Sequence, residues 1–118
     1  MPVTGFGGLF FRCADPSATA AWYRTHLGVI LDGGAPWEAE GGPTVIAPFA
    51  QASDYWPTDK PFMLNLRVGD IDALLATLRA ADIAVETRAD WDEAGYGRFA
   101  RVHDPEGNPI ELWQPPAD

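Results

Sequence analysis

A repeat inside the chain limits how it can fold more than any other feature. Leu9-Phe10-Phe11-Arg12-Cys13-Ala14-Asp15 is an apolar run closed by an aspartate, and a helix-like stretch follows it to Leu27-Gly28. Leu64-Asn65-Leu66-Arg67-Val68-Gly69-Asp70 has the same form and leads into a second helix-like stretch that closes at Ala81-Asp82. Asp15 and Asp70 stand 55 positions apart in a chain of 118 residues, so each copy takes close to half of it. A period of this length points to two related supersecondary units that share one core.

Each helix opens on an aspartate whose carboxylate can accept from free backbone N–H groups. Pro16 sits in the first turn, where its missing donor costs nothing. The first helix is expected from Pro16 to Leu27, with Gly28 as a left-handed stop. In the second, Ile71, Leu74, Leu75 and Leu78 recur at helical spacing and give one apolar stripe. Asp82 stands where that helix needs its own left-handed residue, a conformation aspartate tolerates better than most. Short strand-like segments follow both helices: Val29 to Leu31, Trp37 to Glu40 and Thr44 to Ala47, then Val85 to Thr87, Gly97 to Val102 and Pro109 to Trp113. Each unit therefore reads βαβββ, the first over about residues 5–50 and the second over about 61–115. Asp104-Pro105-Glu106-Gly107-Asn108 carries the residues of a type I turn between the last two strands. The proline-rich stretch Pro48 to Pro61 reads as the linker between units, and its Tyr55 and Trp56 are candidates for a pocket flap.

The length fits one domain, 1–118, and a content of 47% apolar and 21% charged residues is that of an ordinary globular protein with a real core. One cysteine, Cys13, excludes an internal disulfide, and with no leader-like segment a cytoplasmic location is expected. The net charge of -9 repels phosphate backbones, so nucleic acid is not an expected partner. No apolar run reaches the length of a membrane span, and no membrane role is expected.

Alternation along the strands sorts side chains onto two faces. Leu64, Leu66, Val68, Ala100, Val102, Ile110 and Leu112 fall on a side suited to a helix-covered core. Met63, Asn65, Arg67, Phe99, Arg101, Glu111 and Trp113 fall on the other. Tryptophan, phenylalanine and methionine beside two arginines and a glutamate are unlike either a solvated face or a plain core, and they suit a ligand cavity. A three-residue hairpin loop would set Arg101 directly opposite Glu111, where the two form an ordinary cross-strand ion pair, a functional pair, or both. Phe10 and Met63 read as apolar lining. Trp22 and Tyr23 read as core packing or a subunit contact, His26 as a complement to the helix dipole, and His103 as part of the turn. Asp90-Trp91-Asp92-Glu93 borders the cleft or is a solvated acidic loop.

The paired βαβββ units, the Asp15-Pro16, Trp22-Tyr23-Arg24 and Leu27-Gly28 pattern, and the ending Asp104-Pro105-Glu106-Gly107-Asn108-Pro109-Ile110-Glu111-Leu112 together resemble the vicinal oxygen chelate superfamily. This is the glyoxalase, bleomycin-resistance and extradiol-dioxygenase group. The resemblance covers nearly the whole chain. It implies an α+β fold in which two βαβββ modules build a cupped, mixed but largely antiparallel sheet, with the helices on its convex face and the ligand on its concave face. It also implies a homodimer. Metal-dependent members carry histidine, glutamine or glutamate at positions that correspond here to Gly8, Met63 and Glu111. Glu111 alone can bind a metal, and Thr44 to Ala47 offers no further ligand, so no cofactor is expected and an atypical divalent-metal site, for example one completed by His103, is the alternative.

The resulting expectation is a metal-independent small-molecule binding protein, sequestering an aromatic compound. Its ligand-binding residues would be Phe10, Trp37, Trp56, Met63, Asn65, Arg67, Phe99, Arg101, Glu111 and Trp113. Five tryptophans in an acidic chain suit an aromatic, cationic ligand, whereas Arg67 and Arg101 favour an anionic one. The alternative is a lyase-, isomerase- or dioxygenase-like enzyme in which Glu111 is the base, or part of the metal site, and Arg101 steadies negative charge.

Overall fold

The structure, a computed structural model, describes residues 2–31 and 36–117. Helix α1 (Pro16–Leu27) forms where the sequence places it: the Asp15 carboxylate accepts from the Ala18 N–H at 3.1 Å, and Gly28 closes it at φ 69°. Strand β1 (Leu64–Arg67) leads into helix α2 (Ile71–Ala80), capped in the same way by Asp70 on Ala73 N–H. Asp82 takes the left-handed stop at φ 61°. A 3-10 turn (Ala89–Asp92), strand β2 (Arg98–His103) and strand β3 (Pro109–Gln114) complete the described elements.

Strand β3 is central, parallel to β1 on one side and antiparallel to β2 on the other. Glu86 adds an antiparallel bridge to Arg101 on the far side of β2. The second half of the chain thus has the expected strand–helix–strand–strand–strand order, its second strand shortened to one bridge. The hairpin closes on a three-residue loop: Gly107 N–H returns to the Asp104 carbonyl at 2.9 Å, and Gly107 itself has φ 79°. Asp104 holds the turn from inside. Its carboxylate accepts from Glu106 N–H, Asn108 N–H and the Asn108 side chain, and from the Tyr23 hydroxyl of α1 at 2.7 Å.

Both helices cover one face of the sheet. Ile71, Leu75 and Leu78 of α2 and Tyr23 of α1 pack with Ala100, Val102, Ile110 and Leu112 into one buried cluster. Leu64, Leu66 and Val68 lie half-buried against it, as their alternation requires. Tyr23 settles as a core residue, and Trp22 packs edge-on against it.

The first half departs from expectation. The segments 9–15, 29–31, 37–40 and 44–47 form no strand among the described residues, and residues 36–50 are exposed throughout. Val45 and Ile46 are solvent-facing. A strand-like sequence needs a neighbour to take its backbone N–H and C=O groups and a layer to receive its apolar side chains. The single chain supplies neither here, so only the helix of that half, which satisfies its own backbone, takes regular form.

Candidate functional site

The face opposite the helices carries two cross-strand rows fixed by register. Asn65, Glu111 and Arg101 stand side by side in the first, and Glu86 extends it through its bridge to Arg101. Arg67, Trp113 and Phe99 form the second. Trp113 and Phe99 stack nearly parallel, 8° apart with ring centroids at 6.3 Å, and the Trp113 indole N–H donates to the Tyr96 carbonyl at 2.7 Å. Arg67 reaches out of the row and donates to the backbone carbonyls of Glu40, at 2.7 Å, and Pro43. It clasps the 40–43 segment of the first half and is committed to it.

The first row is covered by the linker. The Tyr55 hydroxyl donates to Glu111 Oε2, while Asn65 Nδ2 donates to Glu111 Oε1 at 2.8 Å. The Tyr55 carbonyl accepts from Arg101 Nη1 at 2.9 Å. The Arg101 guanidinium is wedged against two aromatic rings, 5.0 Å from the centre of Tyr55 and 4.9 Å from the centre of Trp91. Phe49 stacks on the outer part of this cluster, 5.6 Å from Tyr55 at an interplanar angle of 12°, and Trp56 meets Phe49 edge-on at 4.9 Å. Burial and the neighbouring Glu111 carboxylate push the Tyr55 phenol well above its ordinary range, so it remains a donor.

Arg101 and Glu111 do lie directly opposite, but they form no ion pair: the two ion pairs among the described residues are Arg88–Asp90 and Arg98–Asp72. Glu111 takes neutral donors instead. Arg101 is 5% exposed, and its Nε and Nη2 are buried without a partner.

The expected site residues therefore divide. Asn65, Phe99, Arg101, Glu111 and Trp113 share the face, with Met63 half-buried just before β1, and Trp56 reaches it through the linker, held by its indole N–H on the Lys60 carbonyl. Phe10, 97% exposed, and Trp37, 45% exposed, lie in the unpaired first half. Tyr55 and Trp91 touch the centre of the face, and Phe49 backs Tyr55 from outside, although alternation along strands does not point to them. Their signal is the aromatic density of the proline-rich linker and of the Asp90-Trp91-Asp92 loop, which has no period to read.

The positions that metal-dependent relatives use do not suit a divalent ion here. Gly8 has no side-chain donor, Met63 offers a thioether, and both Glu111 oxygens already accept hydrogen bonds. Among the described residues no three His, Cys, Asp or Glu side chains are grouped to share an ion. His103 is exposed at the end of β2, and the His26 ring lies against Trp22 at 5.5 Å.

A mixed sheet with helices on one face, and with aromatic and charged side chains under a loop on the other, is consistent with the glyoxalase and bleomycin-resistance class of the vicinal oxygen chelate superfamily. The chain belongs to the Glyoxalase-like domain family, whose profile matches residues 8–113. Among solved structures it is similar to TnmS3, an antibiotic binding protein from Streptomyces sp. CB03234: 26% identical, with a TM-score of 0.64, over 98% of this chain and 99% of that one. A glyoxalase/bleomycin resistance protein from the same strain is 37% identical over 52% of this chain and 54% of its own, with a TM-score of 0.39. Comparison with curated proteins finds no match. No described helix is long and apolar enough to cross a membrane.

Proposed function

We propose that this chain is a metal-independent small-molecule binding protein of the glyoxalase/bleomycin-resistance type, holding an aromatic compound on the sheet face opposite its helices. The observation that carries the reading is Tyr55. An aromatic ring from the linker already sits on that face, with Glu111 at its hydroxyl and Arg101, Trp91 and Phe49 around it. A face that accepts one phenol from its own chain is built to accept a planar ring from solution once the linker moves. The likeness to an antibiotic binding protein over the full chain agrees with this. The working form in this reading is a cytoplasmic homodimer, with the free edge of β1 and the exposed Val3, Phe6, Val45 and Ile46 available to a second copy.

Titration of the intrinsic tryptophan fluorescence with planar aromatic compounds of both charge signs, before and after treatment with a chelator, tests the proposal. Saturable quenching that survives chelation is expected, and Trp113→Phe, which also lowers the melting temperature by removing a buried indole and its bond to Tyr96, should weaken binding about two- to tenfold at temperatures where the variant is folded. No saturable response from any aromatic compound sinks the binding role. A response that requires added Mn, Co, Ni or Zn sinks its metal independence.

A further inference from the structure

The closed face leaves one strong binding group unused. Arg101 is buried at 5% exposure, donates through Nη1 to the Tyr55 carbonyl, and has Nε and Nη2 without any partner. These two nitrogens lie on one edge of the planar guanidinium, the fork that meets a carboxylate through two parallel hydrogen bonds. The carboxylates nearest in the sheet do not fill it: Glu111 is held by Tyr55 and Asn65, and the exposed Glu86 across the bridge makes no ion pair. Burying two donors of a cation unpaired is unfavourable, and any ligand that satisfies them recovers that free energy. Tyr55 meanwhile shows what this part of the face accepts. Its ring lies against Arg101 and Trp91, its hydroxyl meets Glu111, and its carbonyl meets Arg101.

We infer that the ligand is a hydroxyl-bearing aromatic carboxylate that displaces Tyr55, its hydroxyl donating to Glu111 and its carboxylate taking the Nε and Nη2 edge of Arg101. The inference rests on the small-molecule-binding reading above and narrows it to a ligand class. Beneath Tyr55 one cation, Arg101, stands beside one engaged carboxylate, Glu111, so the ligand satisfies Glu111 as a neutral phenol and Arg101 as an anion. Tyr55 acts as a resident competitor that satisfies Glu111 Oε2 and, through its carbonyl, part of Arg101.

Calorimetric titration of the full chain with ortho-, meta- and para-hydroxybenzoate, with phenol and with tyramine tests this, the three isomers spanning the hydroxyl-to-carboxylate distance. The best isomer should bind about 10- to 100-fold more tightly than phenol or tyramine, the range of a charge-assisted pair. The Arg101 Nε–H resonance should move on binding, and Arg101→Met should bring the ratio close to one. Because that variant removes a buried contact of the linker, Tyr55→Phe provides an independent arm with Arg101 intact. It leaves Glu111 Oε2 without its donor in the closed form and should tighten the preferred hydroxybenzoate several-fold. Phenol or tyramine binding as tightly as every hydroxybenzoate, or Tyr55→Phe weakening them, overturns the ligand class while leaving aromatic binding in place. Failure of these probes and of the wider aromatic panel overturns both.

Discussion

Replacing Tyr23 by phenylalanine and Asp104 by alanine, singly and together, measures the strut that ties α1 to the hairpin turn. The Tyr23 hydroxyl, on a residue 2% exposed, donates at 2.7 Å to a carboxylate on a residue 5% exposed. Tyr23→Phe removes a single bond to an ionised acceptor that keeps three donors at 2.9 Å, so its loss belongs at the low end, about 1.5 kcal/mol. Asp104→Ala does more. It leaves the hydroxyl buried and unpaired, which costs about 2 kcal/mol, and it releases the turn donors, which turn to water for about 2 kcal/mol in all. In the double variant there is no hydroxyl to strand, so the total should be about 2.5 kcal/mol, and the single losses should overshoot it by about 3 kcal/mol. Urea denaturation followed by tryptophan fluorescence gives all four stabilities. A coupling below about 0.5 kcal/mol would refute the strut and make the turn stable on its own chemistry.

Gly97 has φ 113°, and a Cβ there would overlap the Gln114 carbonyl, so Gly97→Ala should lose about 2–4 kcal/mol in the same assay, whereas a loss below about 1 kcal/mol would mean that the end of β3 can yield. The Tyr23 and Tyr55 phenols are both pushed up from 10.0, first by burial and then by the carboxylates they meet, Asp104 and Glu111. The unfolded chain releases those protons near pH 10 and the folded chain keeps them, so stability should be intact below pH 10 and fall as the pH rises beyond it. Denaturation midpoints across that range, with phenolate absorbance of the folded protein, check the sign; ionisation of all three tyrosines near pH 10 without unfolding would contradict it.

Much of the second half is legible in the sequence. Asp70, the stripe Ile71, Leu74, Leu75 and Leu78, and the Asp104 turn are local signals, since capping, helical spacing and turn chemistry act over a few residues. Alternation also separated Leu66, Val102 and Leu112 from Asn65, Arg101 and Glu111, because a strand has only two faces. The same signals in the first half gave a helix and no sheet. Thr44 to Ala47 carries strand character, but strand formation depends on a partner that a local pattern cannot provide.

What the sequence determined by itself was the set of short-range choices: two capped helices, a closed hairpin, and a mixed face of aromatic and charged residues. Only the tertiary structure decided how the charges on that face are spent. Opposition in register made Arg101 and Glu111 natural partners, yet Tyr55, 56 positions before Glu111, takes the carboxylate together with Asn65. That choice depends on where a linker without periodicity comes to rest. It is also the choice that leaves Arg101, pressed between Tyr55 and Trp91, with one edge unpaired.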